Sequence, residues 1–308
     1  MTRDEFDALA AEISNWGRWG DEDQRGTLNL IDASAVRRGL DAVVDGASFA
    51  LTLPLDGDIP VLKGQPSRRP PLRTSLMVNF SFTGDPDGPA FNDDALTMGV
   101  QASTHWDALS HATYGGKLYN GFDASTVTAA GGARKCGIDR VGAVVSRGVL
   151  LDVARQRGVD AIEHGDAITI EDLEATRRAA GVELSAGDIV LIRTGAVSRL
   201  RAGDREFYEG GSCGLHPTVA RWFHEHDLAA YAVDAQNPDS MPPASWDWFV
   251  PVHLLCLRDL GMIQGQNWML EDLASACAED GRCTFLLTAT PEPITGASGA
   301  PVAPLAIR

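Results

Sequence analysis

The chain has 308 residues, 44% of them hydrophobic, a formal charge of −16 and an isoelectric point near 4.7. That length supports a large core, and the acidic balance excludes nucleic acid, whose phosphates need a basic face. The N-terminal stretch is polar and no apolar run approaches the ~20 residues of a membrane span, so neither a signal peptide nor a membrane anchor is expected.

Taken in chain order, apolar periodicity predicts a helix over 4–14, a Trp/Gly/Asp-rich segment over 16–26 and a helix over 34–44. Residues 1–47 thus read as a helical, Trp-rich arm. Residues 49–55 alternate as a strand. The Pro/Arg/Gly-rich stretch 60–71 is long enough for a lid or subunit contact rather than a short connection. Strands are predicted over 76–82 and 96–103, the second leading into the run 101–111, QASTHWDALSH. Beyond it come a Gly/Tyr loop over 114–122, a strand over 142–152 and a helix over 169–180, with Thr169 as N-cap to an acidic first turn. A buried strand over 188–193, a helix over 217–225, a strand over 229–234, a helix over 253–259 and a late strand over 283–289 complete the reading. These elements lack the βαβα rhythm of a doubly wound sheet, and no internal repeat shows.

The run 101–111 places His105, Asp107 and His111 close together in a chain with only seven histidines. An imidazole and a carboxylate are donors that a hard or borderline dication accepts. In an extended segment residues i and i+2 share a face, so His105 and Asp107 can converge on one ion. His111 cannot reach the same point along a straight strand. The strand is therefore expected to end near Asp107, and a helical turn to fold His111 back over the site. The plainer alternative is a surface His–Asp pair beside a core histidine.

Other polar groups follow apolar strands: Asp234, Gln236 and Asn237, then His253, then Gln266. From the residues alone, His253 reads as a capping or core histidine and Gln266 as a turn amide. His216 reads as structural, and His224 and His226 as lying on a solvated helix end. There is no G-x-S-x-G, no H-E-x-x-H and no glycine-rich phosphate loop. The five cysteines form an odd set without C-x-x-C. That fits free thiols in a reducing cytoplasm, and no cysteine stands out as a nucleophile.

The run STHWDALSH, with LYNG at 118–121, AGDIVLIRTG at 186–195, WFHEHDLAAYAVD at 222–234, PVHLL at 251–255 and GQNW at 265–268, resembles the metal-dependent cyclase family, which includes bacterial kynurenine formamidase and isatin hydrolase. FLLTA at 285–289 and the later PITG and PLAI resemble its bacterial members. The resemblance implies a single α/β domain of the swivelling β/β/α type with a mixed, barrel-like sheet, assembled as a homodimer or homotetramer. The family's site residues fall on His105, Asp107, His111 and His253. Two positions depart, Gln101 standing for a histidine and Gln266 for a glutamate. Both changes weaken a second metal site, because two dications need anionic or imidazole ligands to be held together. The resemblance then implies one divalent metal on His105, Asp107 and Gln266, an arrangement similar to that of isatin hydrolase, with Mn²⁺ expected in preference to Zn²⁺.

His111 would then act as general acid–base or as a further ligand, and His253 would orient substrate or shuttle protons. Trp106, Trp16, Trp19, Phe82 and Tyr114 are candidates to wall a pocket for a flat ring. The implied activity is hydrolysis of a small cyclic or aryl amide. Alternatives are a cyclase or dehydratase, a lactone hydrolase, or a non-catalytic binding protein in which Gln101 and Gln266 mark a decayed site.

Overall fold

Thirteen strands are present in the computed structural model, which describes residues 1–65, 67–241 and 247–308. In chain order they are β1 (Ser48–Ala50), β2 (Leu72–Phe80), β3 (Phe91–Thr97), β4 (His105–Asp107), β5 (Val127–Thr128), β6 (Gly132–Ala133), β7 (Val145–Asp152), β8 (Ile189–Arg193), β9 (Ala230–Val233), β10 (Gln264–Gln266), β11 (Thr284–Thr288), β12 (Gly299–Pro301) and β13 (Leu305–Ile307). Nine form one mixed sheet in the order β1-β13-β11-β7-β8-β9-β10-β4-β12, curled into a half-barrel. The run β7-β8-β9-β10 is parallel and the flanking pairs are antiparallel. The expected mixed, barrel-like α/β architecture is therefore present.

Both faces of the central strands are covered, which is why their sequence is apolar without alternation. On β8, Val190 and Ile192 join one core cluster with Phe6, Trp222, Phe223 and Leu255. Ile189 and Leu191 join the other, with Leu28, Trp268, Leu273 and Phe285. This is the two-residue period of a strand, expressed as two hydrophobic layers. Helices Arg3–Glu12 and Ile170–Ala179 begin in capping boxes, Thr2 with Glu5 and Thr169 with Asp172. Each satisfies two backbone donors that helix starts leave unpaired.

Three segments depart from the sequence reading. The strand expected over 96–103 stops at Thr97, because β2 and β3 pair with each other as a separate hairpin. The chain then turns at Gly99, whose N–H donates to the Arg69 carbonyl at 2.9 Å and where a Cβ would lie 2.6 Å from the Ser67 carbonyl oxygen. Strand structure resumes only for the three residues of β4. The helix expected over 253–259 starts at Pro251–His253 and widens into a π-helical stretch, Leu254–Leu260, closed by Gly261 at φ 70°. Such widening is rare and often accompanies functional sites. The strand expected over 49–55 contracts to Ser48–Ala50 plus a single bridge from Thr52 to Trp268. Among the described residues no helix is long and apolar enough to cross a membrane.

The β4–β10 register opposes His105 to Gln266, Trp106 to Gly265 and Asp107 to Gln264. Gly265 is required at its position: a Cβ there would lie 2.6 Å from both the Ala232 Cβ and the Trp268 indole nitrogen. Gly265→Ala is expected to destabilise the chain by about 1–3 kcal/mol, the usual range for overpacking a core. Urea unfolding checks this, and an unchanged midpoint would show that β10 has slack the packing does not reveal.

Candidate active site

Strand β4 carries His105 and Asp107 on one face and Trp106 on the other. Both site residues are fully buried, and His105 Nε2 lies 3.4 Å from Asp107 Oδ1. After Asp107 the chain turns, with the His111 N–H donating to the Ala108 carbonyl at 2.9 Å. The turn brings His111 Nε2 to 3.8 Å from the same oxygen. His253, at the start of the helix that widens, reaches the second oxygen, its Nε2 3.7 Å from Asp107 Oδ2. From β10, Gln266 and Gln264 donate to Oδ2 at 2.6 Å and 3.1 Å.

Two of the three imidazoles have a fixed tautomer. His105 Nδ1 is 2.7 Å from the Ser103 carbonyl oxygen, which can only accept, so Nδ1 carries the proton. His253 Nδ1 is 2.6 Å from the Asp239 carboxylate, with the same consequence. In their neutral forms both rings therefore present an Nε2 lone pair beside the Asp107 carboxylate, with the Arg68 guanidinium 3.5 Å from that of His105 and the Gln266 amide nitrogen 3.3 Å from that of His253. That carboxylate stays ionised: burial opposes its charge, but His111, His105 and the Arg68 guanidinium outweigh burial and hold it well below the usual range. Burial pulls His111 down to about 4 against the attraction of Asp107. Asp107 Oδ1 and Gln266 Oε1 are buried and have no hydrogen-bond partner among the described residues.

Buried acceptors left unpaired are costly, and a cation among these donors would satisfy them. The residues present therefore fit a divalent ion. The donors are carboxylate, imidazole and amide oxygen, with no thiolate, which suits Mn²⁺ as well as Zn²⁺. Sequence reasoning grouped His105, Asp107 and Gln266 as ligands and kept His111 and His253 for proton transfer. The structure gathers the other four around the Asp107 carboxylate, and among the described histidine, cysteine and acidic residues the donors lying mutually within 4.8 Å belong to Asp107, His111 and His253.

A cyclase family model matches residues 49–240 of the chain. The chain is also 37% identical to a solved structure described as a novel cyclase, with a TM-score of 0.88 and coverage of 97% of this chain and 99% of that one. The chain belongs to the cyclase family. The family fold is shared more distantly with isatin hydrolase A from Labrenzia aggregata, at 23% identity and TM-score 0.63 over 89% of this chain and 98% of that one. It is shared also with an isatin hydrolase bound to the product analogue thioisatinate, at 20% identity and TM-score 0.64 over 90% of this chain and 99% of that one. No curated protein matches.

Within this cyclase-family fold the aromatic candidates are dispersed. Trp106 points into the core: its indole donates to the Ala289 carbonyl at 2.7 Å and its ring packs edge-on against Trp268. The correction follows from the strand period, since a residue between two that share a face must take the opposite face. Trp16 donates to the Arg258 carbonyl and Tyr114 to Asp259, and the two rings flank the Arg258 guanidinium in a separate cleft. Trp19 lies under Arg18. Phe82 is 70% exposed, against Phe80 and Phe91 at the β2–β3 hairpin.

Three further contributors escaped the sequence. Gln264 was legible in principle, being two residues from Gln266 in an otherwise apolar segment. Asp239 holds His253 through its ring and also accepts the backbone N–H groups of Val252 and His253, and nothing in its local sequence marks it. Arg68 comes from the 60–71 loop, donating to the Gln101 carbonyl at 2.8 Å with its guanidinium 3.5 Å from His105 Nε2. Removing a carboxylate that orients a metal-binding histidine typically costs 10–100-fold in metal affinity. Asp239→Ala is therefore expected to weaken Mn²⁺ binding by roughly that factor, read by competition with a chromophoric chelator. Unchanged affinity would remove His253 from the ligand set.

Proposed function

We propose that the protein is a metal-dependent hydrolase that opens or cleaves a small cyclic or aryl amide. The observation that carries this reading is the convergence of three imidazole nitrogens on a buried carboxylate that keeps one oxygen unpaired among the described residues. One divalent ion, Mn²⁺ by preference, would be held by Asp107 with His253, His105 and the Gln266 amide as neighbouring donors. When bound, it supplies a polarised carbonyl and an acidified water. The isatin hydrolases that share the fold support a cyclic amide as the substrate class.

The chain's own residues divide the remaining work. Asp239 fixes the His253 ring, and Ser103 fixes the His105 ring. His111 is partly exposed while its Nε2 faces Asp107, so it is placed to take a proton from water at Nε2 and return it to the leaving nitrogen. Gln101 approaches the other side of that ring, its amide nitrogen 3.5 Å from Nδ1. Arg68 donates to the Gln101 carbonyl and acts on Asp107 through its charge, without a direct ion pair among the described residues. In a chain of charge −16 it offers a local cation for the carboxylate that amide hydrolysis releases. An amide is resonance-stabilised, so a site with both a polarising ion and a proton carrier accounts for hydrolysis without a serine or cysteine nucleophile.

The protein is also proposed to be a homo-oligomer. A two-stranded hairpin is marginally stable by itself, yet β2–β3 exposes Leu72, Leu76, Val78, Phe80 and Phe91, with Phe82 just beyond. A second copy of the chain is the partner whose contact would cover them. Light scattering is expected to give a dimer or tetramer that the Phe80→Ser/Phe82→Ser double variant dissociates. A native monomer, or a variant that stays assembled, would contradict this.

Assayed against isatin-like lactams, N-formyl aryl amines and lactones, the metal-loaded protein should show ring opening or deacylation that a chelator abolishes and Mn²⁺ restores. His111→Ala should bind metal while losing on the order of 10²–10⁴ in rate. Turnover that persists after thorough metal removal would overturn the mechanism, and loss of metal in the alanine variant would make His111 a ligand.

A further inference from the structure

Away from the active site, a cavity of about 250 Å³ lies between helices Ile170–Ala179 and Glu271–Asp280, and its wall includes Leu150, Asp152, Thr176, Cys277, Gly281 and Cys283. Cys277 sits in the last turn of the second helix. That helix ends at Gly281 in the left-handed conformation, φ 75°, with the Gly281 N–H donating to the Cys277 carbonyl at 2.8 Å. Such a cap reverses the chain and packs the next residues against the final turn. Cys283 is thereby returned to the wall that Cys277 occupies. The other three thiols, Cys136, Cys213 and Cys256, are buried, and Cys283 alone is partly exposed.

We propose that Cys283 and Cys277 form a peroxide-reactive dithiol site that closes to an intramolecular disulfide at this cavity. Redox-reactive cysteines are accessible, favour the thiolate and have a resolving thiol beside them. Each condition is met here. The Cys277 thiol on the same wall, aided by the Arg308 guanidinium, lowers Cys283 from the ordinary thiol value against the opposing effect of burial, while Cys277 is raised. Burial pushes Cys136 and Cys213 up to about 12 and raises Cys256 as well, so those three remain inert thiols.

The chemistry balances with a hydroperoxide as oxidant. The Cys283 thiolate attacks the terminal oxygen, the O–O bond breaks, and an alcohol or water leaves after protonation, giving a sulfenic acid. The Cys277 sulfur then attacks the Cys283 sulfur, the S–O bond breaks, and water departs with the Cys277 proton. Two thiols are oxidised and one peroxide is reduced.

The sequence favours a clean test. Arg282 separates the two cysteines, so trypsin places them in peptides 259–282 and 283–308, each with a single cysteine. After brief treatment of the full-length native protein with hydrogen peroxide, non-reducing mass spectrometry should find these peptides joined, two hydrogens lighter than their sum, with Cys136, Cys213 and Cys256 still free. In Cys277→Ser, dimedone should trap a sulfenic acid at Cys283. In Cys283→Ser, Cys277 should stay unmodified. Separate peptides with Cys283 unmodified, or oxidation first at a buried thiol, would overturn the proposal. The native-protein measurement decides it even if a serine variant fails to fold.

Discussion

A carboxylate sealed among imidazoles is the constraint that organises this molecule. Asp107 is fully buried, stays ionised, and leaves one oxygen without a hydrogen-bond partner among the described residues. A buried charge costs several kcal/mol unless something compensates it. The guanidinium of Arg68 and the amides of Gln264 and Gln266 compensate part of that cost, yet Asp107 Oδ1 and Gln266 Oε1 stay unpaired among the described residues. A fold selected only for stability would not leave two buried acceptors without a donor. A site built to receive a cation would.

The sheet delivers this arrangement with very short elements. β4 has three residues and β10 three, each held between two neighbours, and their register alone sets His105 against Gln266 and Asp107 against Gln264. Gly265 lets Trp268 close beneath the pair. Asn267 then locks the turn out of β10: it donates to the Ser103 carbonyl at 3.1 Å and accepts from Tyr208 at 2.8 Å. The Ser103 carbonyl thus serves both the His105 ring and the Asn267 amide, tying the approach to β4 to the exit from β10. Rigid positioning of donors before the ligand arrives reduces what binding must later spend on ordering them.

Local geometry decided what the sequence could reveal. The two-residue period of a strand placed His105 and Asp107 together, and the turn needed to recover His111 is present. The same period sends Trp106 to the core, so an aromatic wall could not lie between two residues already committed to the site. His253 and Gln266 were visible only through family resemblance, because Gln266 meets Asp107 through the pairing of β4 with β10 and His253 reaches it from a helix distant in sequence. Asp239 and Arg68 come from loops whose position the distant packing sets, and no local pattern marks either. The strand expected over 96–103 was lost because β2 and β3 satisfy each other in a hairpin, a choice made by pairing rather than by propensity.

Elemental analysis of the native protein, purified without chelator alongside Asp107→Asn, tests the central claim most directly. The account predicts one divalent ion per chain in the native protein, and a folded asparagine variant that has lost it. A native chain that carries no metal and takes up neither Mn²⁺ nor Zn²⁺, or a variant that keeps its ion, would contradict it.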